Sequence, residues 1–584
     1  MRTLLRLAGW ICVAMLLVVL LGGVYVHRRG GSYPTYAAAS FATLSPINAQ
    51  VDSSAELLVR TEAGTLRGAP AGAAIAYKGI PYARPPVGDR RWQAPQPAEA
   101  WAGVRDATRF GAACVQRVSG LTPFFAPMAK AYGSKFEQAP VQSSEDCLFL
   151  NVWSPPSRPQ HPLPVMVWLH GGSNIVGSGT QSTYDGASLA SHGVVLVTIN
   201  YRLGTLGFFS HPELTAESTH HSSGNYALLD QLAALGWVRR NIAQFGGDPE
   251  NVTLFGESAG AIDAGALMSS PLSAGLFRRV ISESGPPFGN SQSLAQAEAF
   301  GKVVGDLAQG DARLTPLQRL RALAPSDVDT LVARAKLRLG VDGVPITTDG
   351  WVLPRSVRSE FAAGSIPKVE LLVGLNGREF SAFRLSAPPG GTPSAQKAGQ
   401  DSSMLTKLAA AARPYYGAWT TPAMAFELGR VLLHRTAGSD QAANDLLGAA
   451  PIGAMANLAS ASGQRVFVYR FDRAVPGKGE AELGAFHSLE VPYVFGTLQD
   501  QEWKWLPSNR DDEALSNLLQ TYWTNFAKTG NPNASGLPIW PVWSDEHKEF
   551  LVVERDGRVS AQRNFQPLFS RLSVEDLKKR LRSE

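Results

Sequence analysis

The sequence predicts an α/β fold in which a mostly parallel central sheet is flanked by helices and carries large helical insertions. Seven short apolar runs rich in β-branched residues recur after residue 56, and segments with helical periodicity separate several of them. Such runs are typical of strands that are buried on both faces. The chain has 584 residues, of which 44% are hydrophobic and 18% charged, so that a large core can be buried.

The predicted strands follow one another along the chain. They occupy residues 165–170, 194–201, 252–255, 280–284, 370–376, 465–471 and 550–554. A helical pattern spans 225–245, and a stripe of apolar residues over 515–526 predicts a helix face directed to the core. The stretches 286–365 and 381–464 are longer than ordinary connections, and we expect helical insertions there, over one edge of the sheet.

The first 30 residues predict a signal-anchor or a signal peptide. An uncharged, mainly apolar run from Leu7 to Val26 has arginines on both sides, and about 20 such residues suffice to cross a bilayer. An uncleaved anchor is favoured, although small residues at 36–40 leave cleavage open. Residues 31–55 predict a linker, and 56–584 the folded domain. We therefore expect an exported protein, anchored on the extracytoplasmic side of a membrane or secreted after cleavage.

The net charge indicates which partners are not expected, and the cysteines indicate a possible disulfide. The net charge of +5 is small for this length, and the basic residues are scattered except near the C-terminus, so no nucleic-acid partner is expected. Of the three cysteines, Cys12 lies in the N-terminal apolar run, which leaves Cys114 and Cys147 as a pair. Export would permit a disulfide.

The stretch VTLFGESAGA, residues 252–261, indicates a nucleophile elbow around Ser258. In such an elbow a strand reverses sharply into a helix, and glycines two residues on either side of the serine remove side chains that would clash. The pattern alone is weak, because a serine in an ordinary tight turn can produce it. The strand before it and the helical run after it favour the elbow.

A serine nucleophile needs a base and an acid, and the chain offers one of each in a suitable order. α/β-Hydrolases carry Ser, then Asp or Glu, then His on loops after successive strands. His487 follows the strand at 465–471 through a polar, glycine-bearing loop, and Glu379 follows the strand at 370–376. The alternatives are a structural histidine and an exposed glutamate, but the order along the chain favours catalytic roles.

A tetrahedral intermediate needs backbone N–H donors that are placed before the reaction, each contributing about 3–4 kcal/mol by mutational analogy. The loop GGSNIVGSG follows the strand at 165–170, and the residue after the nucleophile supplies a further donor in this fold. We therefore predict Gly172, Ser173 and Ala259 as donors. A phosphate-binding loop is disfavoured because neither G-K-[ST] nor G-x-G-x-x-G is present there.

Together these segments resemble the type-B carboxylesterase family, the α/β-hydrolases that include para-nitrobenzyl esterases and cholinesterases. The resemblance covers roughly residues 56–570 and rests on many blocks in the same order. Besides the elbow these include YKGIPYARPPVGDRRWQAPQP (77–97), SSEDCLFLNVWSP (143–155), NYRLGTLGF (200–208), HSLEVPYVFG (487–496) and YWTNFAKTGNPN (522–533).

The resemblance implies a set of site residues without any metal or organic cofactor. It implies a triad of Ser258, Glu379 and His487 and an oxyanion hole formed by Gly172, Ser173 and Ala259. These are the positions already selected. It also implies a disulfide from Cys114 to Cys147, which on the chain-entropy model would contribute roughly 3–4 kcal/mol. Two further residues are expected behind the triad: Ser284, which supports the acid by hydrogen bonding, and Glu257, close to the histidine.

Three departures from the family pattern bear on specificity. Ser173 and Asn174 stand where the family has Gly or Ala and then an aromatic residue, which predicts a more polar pocket. The acid lies in Asn-Gly-Arg-Glu-Phe rather than Asn-x-Asp-Glu-Gly. The loop from Cys114 to Cys147 lacks the Trp that cholinesterases use for quaternary ammonium groups, so choline esters are not expected as preferred substrates.

The sequence thus predicts a serine carboxylesterase that hydrolyses small-molecule esters through an acyl-enzyme. One alternative keeps the fold and machinery but acts on an amide, a carbamate or a complex natural-product ester. Another is a non-catalytic adhesion or scaffold relative, which the presence of all three triad residues disfavours. The sequence leaves the oligomeric state open.

Overall fold

The computed structural model describes residues 35–37, 57–138, 140–156, 159–289, 291–340, 346–386, 412–416, 420, 440–441, 443–563, 565 and 574–582. The predicted anchor or signal peptide and most of the predicted linker lie outside these residues. Within the described chain, no helix combines the length and the apolar character needed to cross a membrane.

A twelve-stranded sheet forms the centre of the molecule. Its strands are β1 Thr35–Tyr36, β2 Ala69–Ala71, β3 Ala74–Pro81, β4 Phe149–Ser154, β5 Leu163–Leu169, β6 Val195–Ile199, β7 Gly247–Glu257, β8 Arg279–Glu283, β9 Glu370–Asn376, β10 Val466–Phe471, β11 Phe550–Val553 and β12 Val559–Gln562. Their spatial order is β1-β12-β11-β10-β9-β8-β7-β5-β6-β4-β3-β2.

The middle of this sheet is parallel and its two flanks are antiparallel. Seven neighbouring strands, β6, β5, β7, β8, β9, β10 and β11, run parallel. These are the seven strands that the apolar runs predict, which confirms the mostly parallel central sheet. The flanking strands β4, β3 and β2 on one side, and β12 and β1 on the other, pair antiparallel. Strand β1 lies inside the predicted linker, where Thr35 pairs with Ser560.

Sixteen α-helices are described around the sheet. They are α1 Thr122–Ala131, α2 Ala187–Ser191, α3 Gly204–Phe208, α4 Pro212–Glu217, α5 Tyr226–Asn241, α6 Ala259–Met268, α7 Leu294–Leu307, α8 Pro316–Ala322, α9 Pro325–Leu339, α10 Val357–Ala363, α11 Glu379–Ser386, α12 Ala450–Ala461, α13 Glu480–Leu483, α14 Val491–Phe495, α15 Arg510–Thr529 and α16 Val574–Arg582. Helices α7 to α10 lie in the predicted insertion 286–365.

In helix α15 the sequence determines where the helix begins and ends and which of its faces is buried. Asn509 caps the N-terminus in a capping box with Asp512, and Gly530 ends the helix in the left-handed conformation. The apolar stripe faces inward as predicted, with Leu515, Leu518, Leu519, Tyr522, Trp523 and Phe526 all buried. The indole N–H of Trp523 donates to Glu283 at the end of β8.

The parallel strands bring the predicted site residues to one edge of the sheet. Strand β5 ends at Leu169, β7 at Glu257, β9 at Asn376 and β10 at Phe471. Parallel strands share one carboxyl edge, where open α/β sheets place their ligands. The chain segments that carry the predicted oxyanion loop, nucleophile, acid and base all leave the sheet from this edge.

Candidate active site

Ser258 occupies the sharp turn between β7 and α6. Its backbone has φ 55° and ψ −119°, an unfavourable conformation for a residue with a side chain, and its N–H donates to Glu283 O at 2.9 Å. A Cβ at Gly256 would lie 2.8 Å from Leu169 O, and one at Gly260 would overlap the same carbonyl. The two glycines are therefore required by the close approach of β5, and Ser258 remains partly exposed.

The structure joins the predicted base and acid directly. His487 Nδ1 lies 2.5 Å from Glu379 Oε2, and both side chains are buried. The second carboxylate oxygen, Oε1, accepts from the Asn376 N–H at 2.6 Å, and the Glu379 N–H donates to Asn444 Oδ1 at 2.9 Å. Glu379 is thus held in a fixed orientation, which excludes the alternative of an ordinary exposed glutamate.

The other ring nitrogen of His487 lies against a second carboxyl group. Nε2 is 3.1 Å from Glu257 Oε1, which also accepts from the Ser488 hydroxyl at 2.7 Å. Burial alone lowers the pKa of His487, but the carboxylates of Glu257 and Glu379 outweigh it and raise this pKa to about 9. Glu257 therefore lies next to the histidine, as the resemblance implied, and holds the nitrogen that a serine nucleophile would need.

Among the described residues, the hydroxyl of Ser284 is hydrogen-bonded to Glu490 and not to Glu379, the acid that it is expected to support. Its hydroxyl donates to Glu490 Oε1 at 3.2 Å, and the Asn376 side-chain amide donates to Glu490 Oε2 at 2.5 Å. Asn376 therefore connects the two glutamates, because its backbone N–H donates to Glu379 and its side-chain amide donates to Glu490. Burial raises the pKa of Glu490 well above its ordinary value. Sequence reasoning missed Glu490, although its position three residues after His487 in the HSLE block is a usable signal.

The loop after β5 has a strained backbone at three consecutive residues. Gly172, Ser173 and Asn174 all have positive φ, at 108°, 56° and 57°. A Cβ at residue 172 would overlap Val176 O, so this position requires glycine. Within the described chain, the N–H groups of Gly172 and Ser173 have no protein acceptor. Ala259 is the first residue of α6, where an N–H has no partner inside the helix.

A cavity of about 230 Å³ brings most of these groups together. Glu257, Ser258, His487, Gly172 and Ser173 line it. The rest of the lining is largely aromatic and apolar, with Leu121, Phe124, Phe125, Phe136, Tyr184, Phe383, Val491 and Trp503. Arg117, Gln181, Thr183 and Glu502 add polar groups to the lining, whereas Asn174 lines a neighbouring cavity together with Ser173.

Two phenylalanines cover the histidine, and a disulfide-bonded loop supplies one of them. The Phe383 ring centroid lies 4.9 Å from that of His487, and the Phe124 centroid lies 6.2 Å from it. Cys114 and Cys147 form the disulfide that the resemblance implied. The loop they close carries Phe124, Phe125 and Phe136, whereas Trp503 enters the cavity from another part of the chain.

The sheet topology, the elbow and the linked histidine and glutamate define the chain as an α/β-hydrolase. The model of the carboxylesterase family matches residues 55–568. The chain is 35% identical to a para-nitrobenzyl esterase of Bacillus subtilis over 518 residues, covering 85% of this chain and 95% of that protein. It is also 35% identical to a fumonisin B1 esterase of Sphingopyxis macrogoltabida over 532 residues, covering 88% and 89%.

Solved structures agree with these relatives. A thermophilic para-nitrobenzyl esterase superimposes with a TM-score of 0.72 at 32% identity, covering 90% of this chain and 100% of that one. A carboxylesterase of Geobacillus stearothermophilus gives a TM-score of 0.71 at 33% identity, covering 86% and 98%. The chain belongs to the carboxylesterase family, and it is a carboxylic-ester hydrolase.

Proposed function

We propose that the enzyme works through an acyl-enzyme on Ser258, with His487 as general base and acid and Glu379 as the group that orients the imidazole. The observation that carries this proposal is the 2.5 Å contact between His487 Nδ1 and Glu379 Oε2, at the wall of the cavity that Ser258 also lines. A carboxylate on Nδ1 fixes the tautomer in which Nε2 is free to take a proton.

The steps follow from this arrangement. Ser258 Oγ attacks the ester carbonyl while His487 Nε2 takes its proton, which requires Nε2 to exchange Glu257 for the serine. The N–H groups of Gly172, Ser173 and Ala259 bind the oxyanion of the tetrahedral intermediate. The intermediate collapses when His487 returns the proton to the leaving alcohol. A water molecule then hydrolyses the acyl-enzyme by the same sequence, and Glu379 stabilises the imidazolium in both halves.

The lining of the cavity favours small esters that carry apolar or aromatic groups as substrates. Its lining includes the rings of Phe124, Phe125, Phe383 and Trp503, which offer flat apolar surfaces. The names of two relatives specify a para-nitrobenzyl ester and fumonisin B1 as their substrates. An amide, a carbamate or a complex natural-product ester would use the same machinery and is the second candidate substrate class.

We also propose that the enzyme is exported and held at the membrane by residues 1–30, with 31–55 as the linker and 56–584 as the hydrolase domain. The apolar run from Leu7 to Val26 supports the anchor. The Cys114–Cys147 disulfide supports an oxidising compartment. Cleavage of the N-terminal segment would give a secreted enzyme instead.

The full-length protein, in detergent where it is membrane-bound, should hydrolyse short p-nitrophenyl esters. Ser258→Ala should reduce kcat by about 10³-fold or more, because the nucleophile is lost while binding remains. The measurement is initial rate at several ester concentrations, with thermal unfolding of both proteins as the control for folding. Equal rates for the two proteins would contradict the mechanism.

A further inference from the structure

Asp263 is a buried carboxyl group next to the site that the mechanism does not use. It lies on α6, five residues after Ser258, and its side chain is fully buried. Its two oxygens accept from two amides: Oδ1 from Asn174 Nδ2 at 2.9 Å, and Oδ2 from Gln231 Nε2 at 2.6 Å. In the described chain no Lys, Arg or His forms an ion pair with it, and burial raises its pKa to about 7.

The first of these amides belongs to the loop that carries the oxyanion donors. Asn174 directly follows Ser173 and shares its left-handed backbone conformation. Its carbonyl oxygen accepts from the Gly204 N–H at the start of α3, at 2.6 Å. The loop is therefore tied at the same residue to two helices, by its side chain to α6 and by its backbone to α3.

We propose that Asp263 is a positioning residue that acts through Asn174 to hold the N–H groups of Gly172 and Ser173 in place against Ser258, an inference that rests on the proposed function. Helix α6 carries Asp263, its first residue is the third donor, Ala259, and Ser258 directly precedes it. One hydrogen bond from Asn174 to Asp263 thus fixes the loop to the element that carries the other reacting groups. Oxyanion donors stabilise a transition state only when their position is set beforehand.

The hydrogen bond to Asp263 explains why an asparagine stands at position 174, where the sequence departs from the family pattern. An amide stands where the family has an aromatic residue, and the N–H donors of a partly buried amide need an acceptor. Asp263 supplies that partner, while Gln231 from α5 holds the second carboxylate oxygen. The oxygens of both amides, Asn174 Oδ1 and Gln231 Oε1, lack partners among the described residues.

Because these two amide oxygens can accept hydrogen bonds, Asp263→Asn is a conservative variant. An asparagine at 263 can accept from one amide and donate to the oxygen of the other once that amide turns about its terminal bond. The anchor is then preserved without a carboxylate. Asp263→Leu keeps the branching and the number of side-chain heavy atoms, although its methyl groups are bulkier, and it offers no acceptor, so it removes the anchor.

Four variants test the proposal with a p-nitrophenyl ester: Asn174→Ala, Asp263→Leu, their combination, and Asp263→Asn. We expect Asn174→Ala and Asp263→Leu each to lower kcat by roughly tenfold to hundredfold with KM changed less than threefold. The combined variant should lose no more than about threefold beyond the worse single variant, because both changes break one contact. Asp263→Asn should stay within about threefold of the wild type.

A trifluoromethyl ketone gives a second readout. Its adduct with the serine carries an oxyanion, so its inhibition constant should rise in proportion to the loss in kcat/KM for Asn174→Ala. Asn174 is partly exposed, and this variant keeps the test decisive if Asp263→Leu fails to fold. A kcat for Asn174→Ala within threefold of the wild type, or losses that multiply in the combined variant, would overturn the proposal. A wild-type protein without Ser258-dependent hydrolysis would instead overturn the proposed function.

Discussion

His487 contacts two carboxyl groups at once, and this decides the pH range in which it can act as a base. Glu379 lies on Nδ1 at 2.5 Å and Glu257 near Nε2 at 3.1 Å. The two carboxylates raise the pKa of the histidine to about 9, although burial opposes them. Only the neutral imidazole accepts the serine proton, so activity of the free enzyme should rise as the pH approaches this value.

Glu257→Gln should move the acid limb of the kcat/KM profile to lower pH, by roughly one unit or more. The substitution removes the negative charge beside Nε2, which lowers the pKa of His487 and leaves it neutral at a lower pH. The profile is measured with a p-nitrophenyl ester between pH 5 and 10, and Glu137→Gln serves as the control because Glu137 pairs with Lys504 at the surface. An unmoved acid limb in Glu257→Gln would show that Glu257 does not control the base.

At the level of elements, the disulfide-bonded loop forms a wall of the cavity without contributing a reacting group. Helix α1, inside this loop, packs on α11, where the Phe124 and Phe383 ring centroids lie 5.3 Å apart and the Ser386 hydroxyl donates to Phe124 O at 2.8 Å. Helix α11 begins with Glu379. The wall of the cavity therefore packs against the helix that begins at Glu379, the proposed acid.

Replacing both Cys114 and Cys147 by alanine should lower the free energy of unfolding by up to about 3–4 kcal/mol, because a cross-link over 33 residues no longer restricts the unfolded chain. KM should rise more than kcat falls, since the loop supplies apolar lining but no catalytic group. Denaturant unfolding and steady-state kinetics of the double variant check both statements. Unchanged stability together with unchanged KM would contradict this role for the loop.

At the scale of the whole molecule, the sequence predicts the centre of the sheet better than its flanks. Strands β5 to β11 are buried on both faces by helices and read as continuous apolar runs. Three of the flanking strands are short or irregular: β1 has two residues, β2 has three, and β3 includes Gly79 and Pro81. Their pairing depends on the edges that the centre offers, which no local pattern records.

The residues of the candidate site also divide into those that the sequence predicts and those that it does not. The order of motifs and the resemblance predict the three triad positions and the disulfide, because each lies in a recognisable segment. The contacts of Glu490 with Asn376 and of Asp263 with Asn174 join residues 114 and 89 positions apart. Such contacts form only when the fold brings two elements together, so the spacing along the sequence does not identify which residues pair, even where one of them lies in a recognisable block, as Glu490 does.

The export proposal is also tested on the whole molecule. Cells expressing the full chain should hold the enzyme in the membrane fraction, and carbonate washing should leave it there, because an apolar run from Leu7 to Val26 partitions into lipid. The mass of the mature N-terminus distinguishes an anchor from a cleaved signal. Enzyme with an intact N-terminus in the cytosolic fraction would contradict export.

The role of Ser258 as the nucleophile is tested most directly by the site of covalent modification with a dialkyl p-nitrophenyl phosphate, which a serine activated by a base attacks as it would an ester. Peptide mass mapping of the inactivated enzyme should place one dialkyl phosphate on Ser258, with release of one p-nitrophenol per active site and complete loss of esterase activity. An adduct on any other residue that accounts for the lost activity, or full activity after stoichiometric modification of Ser258, would contradict Ser258 as the nucleophile.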